Sequence, residues 1–339
     1  MELNYNKVPK LRGKDAKVRF KKATKALALT RWPLYFVGPS GSGKTIIAMN
    51  VAKYYATKNN VPAYYVQLSP DQTKTSLILG LRLDNGSLVP KRGVVANAMD
   101  EGAIIVVDEA PHASQELLLM FNSICDRTSV TAIGDDSVVA EDTFRVIFCG
   151  NTSNYAANQK LPQSFAQRMI AFNFDFPNAK DEASIAYKMY CDELNGNRKV
   201  PSVVAKYVTG IIREARNERF PLSVRNVAAA LMLMDISLEE DFDYENANQL
   251  EIEKAISAIG GENTESLMNR VFSMIHGMNS NIERVLDDQQ THELFAFVTH
   301  LTADTFVDSV LSATMYWLDV EGMEFDMDEI KSKLRASIF

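Results

Sequence analysis

Five short apolar runs follow one another along the first half of the chain, each bounded by polar or turn-forming residues. They are Leu34–Val37, Ala63–Gln67, Ile104–Val107, Val146–Cys149 and Ile170–Phe174. Continuous apolar runs of this length are typical of strands that are buried on both faces. Because helical patterns separate several of the runs, they predict a parallel β-sheet with helices on both faces, a three-layer α/β/α fold.

Turn signals predict three local features. The segment Ser69–Gln72 combines a capping serine, a proline and a glutamine, and it predicts the start of a helix. Asn85-Gly86 predicts a tight β-hairpin, and a second hairpin is expected within Thr131–Phe144. The paired aspartates at the centre of this second hairpin fit either a turn or a metal site, and their glycine neighbour favours the turn.

The pattern becomes helical after Pro177. Helices are predicted at Val203–Arg216, Val224–Asp235 and Leu250–Ile259, the last of which ends at Gly260-Gly261. Further amphipathic helices follow. The sequence thus predicts a basic arm and first helix at 1–30, an α/β core at 31–176, a helical domain at 177–262 and a helical extension at 263–339.

Charge is distributed unevenly along the 339 residues, whose net charge is −7. An acidic total argues against a protein whose main task is to coat nucleic acid. Basic residues nevertheless concentrate near the amino terminus, at Lys7, Lys10, Arg12, Lys14, Lys17, Arg19, Lys21, Lys22, Lys25 and Arg31. This arm fits either a solvated helix face or a nucleic-acid contact, and the solvated face is favoured.

Cysteines and apolar runs bear on the compartment. Cys125, Cys149 and Cys191 show no metal or redox spacing, and Cys149 falls in an apolar run, as a small buried side chain would. No apolar run approaches the roughly 20 residues that a membrane helix needs, and no apolar core follows the basic amino terminus. We therefore expect a cytoplasmic protein without a membrane segment.

A phosphate-binding motif, GxxxxGK[ST], lies between the first apolar run and an apolar helical pattern. Its residues are Gly38, Pro39, Ser40, Gly41, Ser42, Gly43, Lys44 and Thr45. Glycines let backbone N–H groups turn toward phosphate oxygens, and the N-terminus of the following helix adds a favourable dipole. The motif predicts an ATP site in which Lys44 reaches the β- and γ-phosphates and the Thr45 hydroxyl binds Mg²⁺.

Two other apolar runs end in polar side chains. Asp108 and Glu109 follow the run Ile104–Val107, and Asn151 follows Val146–Cys149 after one glycine. Since ligands bind at the carboxyl ends of parallel strands, Asp108 is expected to hold Mg²⁺ and Glu109 to orient the attacking water. If its strand lies between the other two, Asn151 points at the γ-phosphate. Otherwise it is an ordinary turn residue.

The order of these motifs resembles that of the AAA+ ATPases. The resemblance covers about Leu27 to Ile259 and is carried by Gly38–Thr45, Asp108-Glu109, Asn151, Leu161–Arg168 and Pro221–Arg225. It is most similar to the MoxR branch, which includes the CbbQ/NirQ-type and GvpN-type chaperones, and more distantly to dynein and midasin modules. The two hairpins fall where this branch carries its helix-2 insert and its pre-sensor-1 hairpin.

The resemblance implies further roles. Asn151 would be the sensor-1 residue, and Arg168 would be an arginine finger that acts in trans on the ATP of a neighbouring subunit. Arg225, just inside a helix that Ser223 caps, would be the sensor-2 arginine of a helical lid. The protein would then be a homo-oligomer, a hexameric ring, that hydrolyses ATP with Mg²⁺ and remodels a client protein, in some relatives beside a von Willebrand A-type partner.

Two other functions fit the same sequence. Lys91 and Arg92, beside the first hairpin, and the basic arm would suit a motor or loader ATPase that nucleic acid stimulates. A ring that assembles around ATP but hardly hydrolyses it would act as a scaffold, although the intact Glu109 argues against that. The sequence names no client.

Overall fold

The structure of the chain is a computed structural model. It describes residues 1–84, 87–126, 130–133, 136–151, 161–194, 200–217, 222–237, 309–310 and 312–313. The chain divides into two compact units, Met1–Phe176 and Pro177–Phe339. The predicted division into four parts at 30, 176 and 262 stays a prediction.

The first unit alternates strands and helices. Its strands are β1 (Leu34–Gly38), β2 (Ala63–Gln67), β3 (Leu79–Asp84), β4 (Ser87–Arg92), β5 (Ile104–Asp108), β6 (Val130–Ile133), β7 (Asp136–Val139), β8 (Arg145–Asn151) and β9 (Ile170–Asn173). Its helices are α1 (Lys14–Leu29), α2 (Lys44–Asn59), α3 (Lys74–Leu77), α4 (Val94–Asp100), α5 (Gln115–Cys125) and α6 (Gln163–Ala166).

One parallel sheet contains all five strands that the apolar runs predict. Its order is β2-β5-β8-β1-β9, so β8 lies between the strand that precedes the phosphate-binding motif and the strand that ends in the acid pair. Every residue of β5 is buried. Ile105 and Val107 pack in a core that includes residues of α4 and α5, whereas Ile104 and Val106 pack on the other face with residues of α1 and α2. The predicted three-layer α/β/α fold is confirmed.

The predicted helix start at Ser69–Gln72 is wrong. The Gln72 amide donates to the Ser69 carbonyl at 3.2 Å within a turn, and α3 begins later, at Lys74. Thr73 caps α3 because its side chain accepts from the Ser76 amide while the Ser76 hydroxyl bonds back to the Thr73 amide. Both segments carry residues that favour caps, and the sequence does not decide between them.

Both predicted hairpins are present as antiparallel strand pairs. β3 pairs with β4 so that Asp84 faces Ser87, and β6 pairs with β7 so that Ile133 faces Asp136. The connections at 85–86 and 134–135 lie outside the described residues, as does the choice between a turn and a metal site at the second one. Within the described ranges, no group of three or more His, Cys, Asp or Glu residues could hold a metal ion.

The described part of the second unit is helical. Its helices are α7 (Ala179–Glu193), α8 (Ser202–Asn217) and α9 (Val224–Ser237). The helices predicted at Val203–Arg216 and Val224–Asp235 are thereby confirmed. Those predicted at Leu250–Ile259 and in the extension 263–339 lie outside the described residues, apart from the two helical pairs 309–310 and 312–313. No helix in the described part of the chain is both long and apolar enough to cross a membrane.

Candidate functional site

The phosphate-binding motif joins the end of β1 to the start of α2. A Cβ atom on Gly38 would meet the Phe174 carbonyl oxygen at 2.3 Å, so only glycine fits at this close approach. Gly43 caps α2 in the left-handed conformation, with φ +86°, and the space that its Cβ would fill is open. The motif thus forms an open glycine turn at a helix N-terminus, the arrangement that binds phosphate oxygens.

Lys44 folds back over this turn. Its Nζ atom donates to the carbonyl oxygens of Gly38 at 3.0 Å and Pro39 at 2.7 Å and to Asn151 Oδ1 at 2.9 Å. The residue is only 7% exposed. These three acceptors are uncharged, and a phosphate oxygen would make a stronger, charge-assisted hydrogen bond with the same ammonium group.

Asp108, at the end of β5, collects three hydrogen bonds. Its Oδ2 atom accepts from the Thr45 hydroxyl at 2.9 Å and from the Tyr65 hydroxyl at 3.0 Å. Its Oδ1 atom accepts from the Glu109 amide at 3.1 Å. Thr45 and Asp108, the two residues that the sequence assigns to Mg²⁺, thus lie in hydrogen-bond contact, and Tyr65 is an additional member that the sequence did not indicate.

Glu109 adopts a left-handed backbone conformation, with φ 55°. This conformation is unfavourable for a residue with a side chain, and strained residues of this kind concentrate at functional sites. Its Oε2 atom accepts from Asn151 Nδ2 at 3.3 Å and lies 3.9 Å from His112 Nδ1. The sequence predicts no role for His112.

Asn151 connects the two halves of the site. Its strand, β8, pairs with β1 so that Asn151 faces Gly38. The side-chain oxygen accepts from Lys44 while the side-chain nitrogen donates to Glu109. From the sequence, Asn151 is expected to point at the γ-phosphate if its strand lies between the other two. β8 does lie between β5 and β1.

Burial shapes the titration of the site. Burial raises the pKa of Tyr65, and the neighbouring Asp108 carboxylate raises it further. The pKa of Tyr35 is raised to about 12, first by burial and then by Cys149 and Glu109. Burial also raises the pKa of Cys149 well above its usual value, which keeps this thiol neutral, as its predicted role of a small buried side chain requires.

The donor set fits Mg²⁺ bound together with a nucleotide. Thr45 and Asp108 supply a hydroxyl and a carboxylate oxygen, the oxygen ligands that Mg²⁺ prefers. The described residues hold no cluster of acidic, histidine or cysteine side chains that could form a complete metal cage. Mg²⁺ usually takes one or two protein ligands and completes its shell with phosphates and water, so the site matches that pattern.

Of the two arginines that the family resemblance singled out, one follows α6 and the other lies in α9. Arg168 follows α6 and donates to the Ser164 carbonyl, and no hydrogen bond within the described part of the first unit joins it to Lys44 or Glu109. Arg225 lies in the second unit, where it is exposed and its amide donates to the Ser223 hydroxyl at 3.2 Å. The predicted cap at Ser223 is confirmed.

The sheet order, the glycine turn and the acid pair define the P-loop class of nucleotide-binding proteins. Within that class, residues 33–169 match the family model of the AAA domain, dynein-related subfamily. The predicted resemblance to the AAA+ proteins, and to their MoxR-like branch, is confirmed.

Curated relatives fall in the same branch. Protein CbbQ from Hydrogenophilus thermoluteolus is 27% identical over 46% of this chain and 57% of its own length. Protein NorQ from Paracoccus denitrificans is 27% identical over 47% of this chain and 58% of its own length. The gas vesicle ATPase GvpN2 from Halobacterium salinarum is 24% identical over 63% of this chain and 67% of its own length. The chain thus spans little more than half the length of CbbQ and NorQ.

Proposed function

We propose that this chain hydrolyses ATP by in-line attack of water on the γ-phosphate. One observation carries the proposal: Lys44, Thr45, Asp108, Glu109 and Asn151 form a single hydrogen-bonded cluster at the carboxyl edge of the sheet. Each of the chemical tasks of phosphoryl transfer then has a side chain within reach. The relative GvpN2 is named a gas vesicle ATPase, which agrees with this activity.

The residues divide the work as follows. Lys44 would exchange its carbonyl partners for the β- and γ-phosphate oxygens, and Thr45 and Asp108 would hold Mg²⁺, whose charge would stabilise the negative charge of the phosphates. Glu109 orients the attacking water. Asn151, which bonds both Lys44 and Glu109, would bind the γ-phosphate and the water together.

Subunits of this protein would complete each other's sites in a ring, for which we propose a hexamer. Arg168 donates to a backbone carbonyl of the preceding helix, α6, which suits a finger that serves a neighbouring subunit. Arg225 would contact the nucleotide from the helical lid. ATP turnover in such a ring would remodel a client protein, as the resemblance to MoxR-like chaperones suggests.

Glu109→Gln tests the proposal. Because the amide keeps the size of the side chain but is a poor acceptor for the water proton, the variant should bind ATP while turnover falls about 10²–10⁴-fold. ATP binding is measured with a fluorescent analogue, and turnover by phosphate release. Glu116→Gln, an exposed residue on α5, is the control and should leave both unchanged. Retained turnover in Glu109→Gln would remove Glu109 from its role.

The same variant can identify the client. A ring that holds ATP without hydrolysing it should retain a bound client, so affinity purification with Glu109→Gln should enrich proteins that the Lys44→Ala variant does not. If the two variants recover the same proteins, ATP does not control the interaction, and the remodelling role is wrong even where hydrolysis is real.

A further inference from the structure

Tyr65 reaches from one strand to the acid at the end of its neighbour. β2 pairs with β5 so that Tyr65 faces Val106 and Gln67 faces Asp108. Side chains two residues apart on a strand share a face of the sheet. The Tyr65 side chain extends along this face to Asp108, and its hydroxyl lies 3.0 Å from Asp108 Oδ2.

The hydrogen bonds of Asp108 leave its carboxylate little freedom. A carboxylate can only accept, so the hydroxyls of Tyr65 and Thr45 both donate to Oδ2, and the Glu109 amide donates to Oδ1. The three donors come from a strand, a helix and the turn after β5. Asp108 is 8% exposed, so water cannot readily replace a missing donor.

The Thr45 hydroxyl depends on this arrangement. Because the Thr45 hydroxyl donates its hydrogen bond to Asp108, the lone pairs of the hydroxyl oxygen remain available to a metal ion. If the Asp108 carboxylate rotated away, Thr45 would lose its acceptor and could turn its hydroxyl elsewhere. A side chain that holds Asp108 in place therefore acts on the metal through two other residues, as outer-shell partners of metal sites do.

We propose that Tyr65 is a positioning residue of the magnesium–nucleotide site, holding Asp108 where Thr45 can present its oxygen to Mg²⁺. The inference rests on the proposed function, because it assumes that a nucleotide and Mg²⁺ bind here. It adds a residue from β2, a strand that contributes no residue of the phosphate-binding motif or the acid pair.

The neighbouring Tyr64 offers a matched control. Its side chain packs against the core on the opposite face of the sheet, and its hydroxyl donates to Glu101 Oε2 at 2.7 Å, away from the cluster. Tyr65→Phe and Tyr64→Phe therefore each remove one tyrosine hydroxyl that bonds a carboxylate from the same strand. Only the first removes a donor to Asp108.

The experiment separates metal binding from nucleotide binding. The affinity for mant-ADP is measured in EDTA and with Mg²⁺, and Mn²⁺ binding to the ADP-loaded protein is measured by electron paramagnetic resonance. Tyr65→Phe should weaken Mn²⁺ binding by roughly tenfold, the lower end of the range typical of outer-shell changes, and should leave the affinity in EDTA unchanged. Tyr64→Phe should match the wild type in both.

Each other outcome overturns the inference. Mn²⁺ binding by Tyr65→Phe that equals or exceeds that of the wild type would show that the hydroxyl does not position Asp108. If Tyr65→Phe and Tyr65→Met both fail to fold while Tyr64→Phe folds, the role of Tyr65 is structural. If the wild type itself binds mant-ADP without any response to Mg²⁺, or does not bind it, the proposed function fails first.

Discussion

The two units of the chain bury charged side chains in different surroundings. In the first unit, the hydrogen bonds described for Lys44 end on two carbonyl oxygens and an amide oxygen, and Asp108 accepts from hydroxyls and an amide. In the second unit, Glu182 is fully buried and pairs with two arginines, Arg213 at 2.8 Å and Arg216 at 2.5 Å.

The arginines of the second unit are themselves held by backbone groups. Arg213 donates to the Pro177 carbonyl at 2.9 Å, and Arg216 donates to the Leu222 carbonyl at 2.8 Å. The ion pairs thus join the start of α7 to the end of α8 and to the segment before α9. This cluster supplies its own opposite charges from within the unit.

The comparison separates two uses of buried charge. A charge whose described hydrogen bonds end on neutral groups gains when a charged ligand arrives, because phosphate oxygens or a metal ion make stronger contacts than those groups do. Charges that are already paired and hydrogen-bonded gain nothing from a ligand, but removing one partner leaves the others uncompensated. Substitutions in the first unit should therefore affect function more than stability, and those in the second unit should do the reverse.

The largest effect on function is expected from the substitution of Arg168. This residue belongs to the first unit, but its side chain is only half-buried, unlike Lys44 and Asp108. Arg168→Ala should lower kcat by about 10³–10⁵, the range associated with arginine fingers, while the unfolding midpoint changes little, because the hydrogen bond described for the Arg168 side chain ends on one backbone carbonyl. Phosphate release and chemical denaturation measure the two. Arg31→Ala, which breaks an exposed pair with Asp142, should leave turnover unchanged.

Mixed rings test whether this finger acts in trans. Subunits with Arg168→Ala keep Lys44, and subunits with Lys44→Ala keep Arg168, so some interfaces of a mixed ring contain both residues. Mixing the two inactive variants should restore a fraction of the wild-type turnover. If no activity returns although the subunits co-assemble, Arg168 completes the site of its own chain or has no catalytic role.

Breaking the buried ion pairs should have the next largest effect. Glu182→Gln leaves two arginines beside a neutral group, and it should lower the free energy of unfolding by about 3–5 kcal/mol. Asp192→Asn, which breaks an exposed pair with Lys188 on α7, should cost only about 0.3–0.5 kcal/mol. Denaturant titrations of both variants measure the two losses in the free energy of unfolding. A Glu182→Gln variant of normal stability but reduced turnover would contradict it.

The sequence predicted the sheet of the first unit and singled out residues that cluster at its carboxyl edge, because both leave local signals. Apolar runs mark buried strands, and the glycine turn and the acid pair stand next to them in the chain. Tyr65 could not be predicted, because its contact with Asp108 depends on which residue of β5 faces which residue of β2. An alternating pattern helps to set register, but a continuous apolar run such as that of β5, buried at every position, does not specify it.

The ion pairs of the second unit escaped prediction for a related reason. Glu182 lies in the first turn of α7, where an acidic residue is common and is usually exposed. Its partners follow about 30 residues later, on a different helix, so no short spacing marks the cluster. The sequence alone therefore predicts that Glu182 is a surface residue, and only the packing of α7 against α8 shows that it is buried.

Tyr190 gives the smallest expected effect and the hardest case for the comparison, because Asp235 in the second unit, like Asp108 in the first, accepts a hydrogen bond from a tyrosine hydroxyl. Its hydroxyl donates to Asp235, which is 6% exposed, and accepts from the Val200 amide at 3.0 Å. Tyr190→Phe removes a donor from a buried carboxylate and an acceptor from a buried amide, which should cost about 1–3 kcal/mol of stability. Tyr54→Phe, at a ring that is 47% exposed, should stay within about 0.5 kcal/mol of the wild type.

The measurement that decides the case is turnover at a temperature where both tyrosine variants are folded. If Tyr190 belongs with Glu182, its contacts stabilise the second unit, and kcat and the affinity for ATP should both match the wild type. A loss of turnover without a loss of stability would show that the Tyr190 hydroxyl serves function, as Lys44 and Asp108 are proposed to do. The division between ligand-ready charges in the first unit and self-paired charges in the second would then be wrong, because a buried polar contact of the second unit would serve the chemistry.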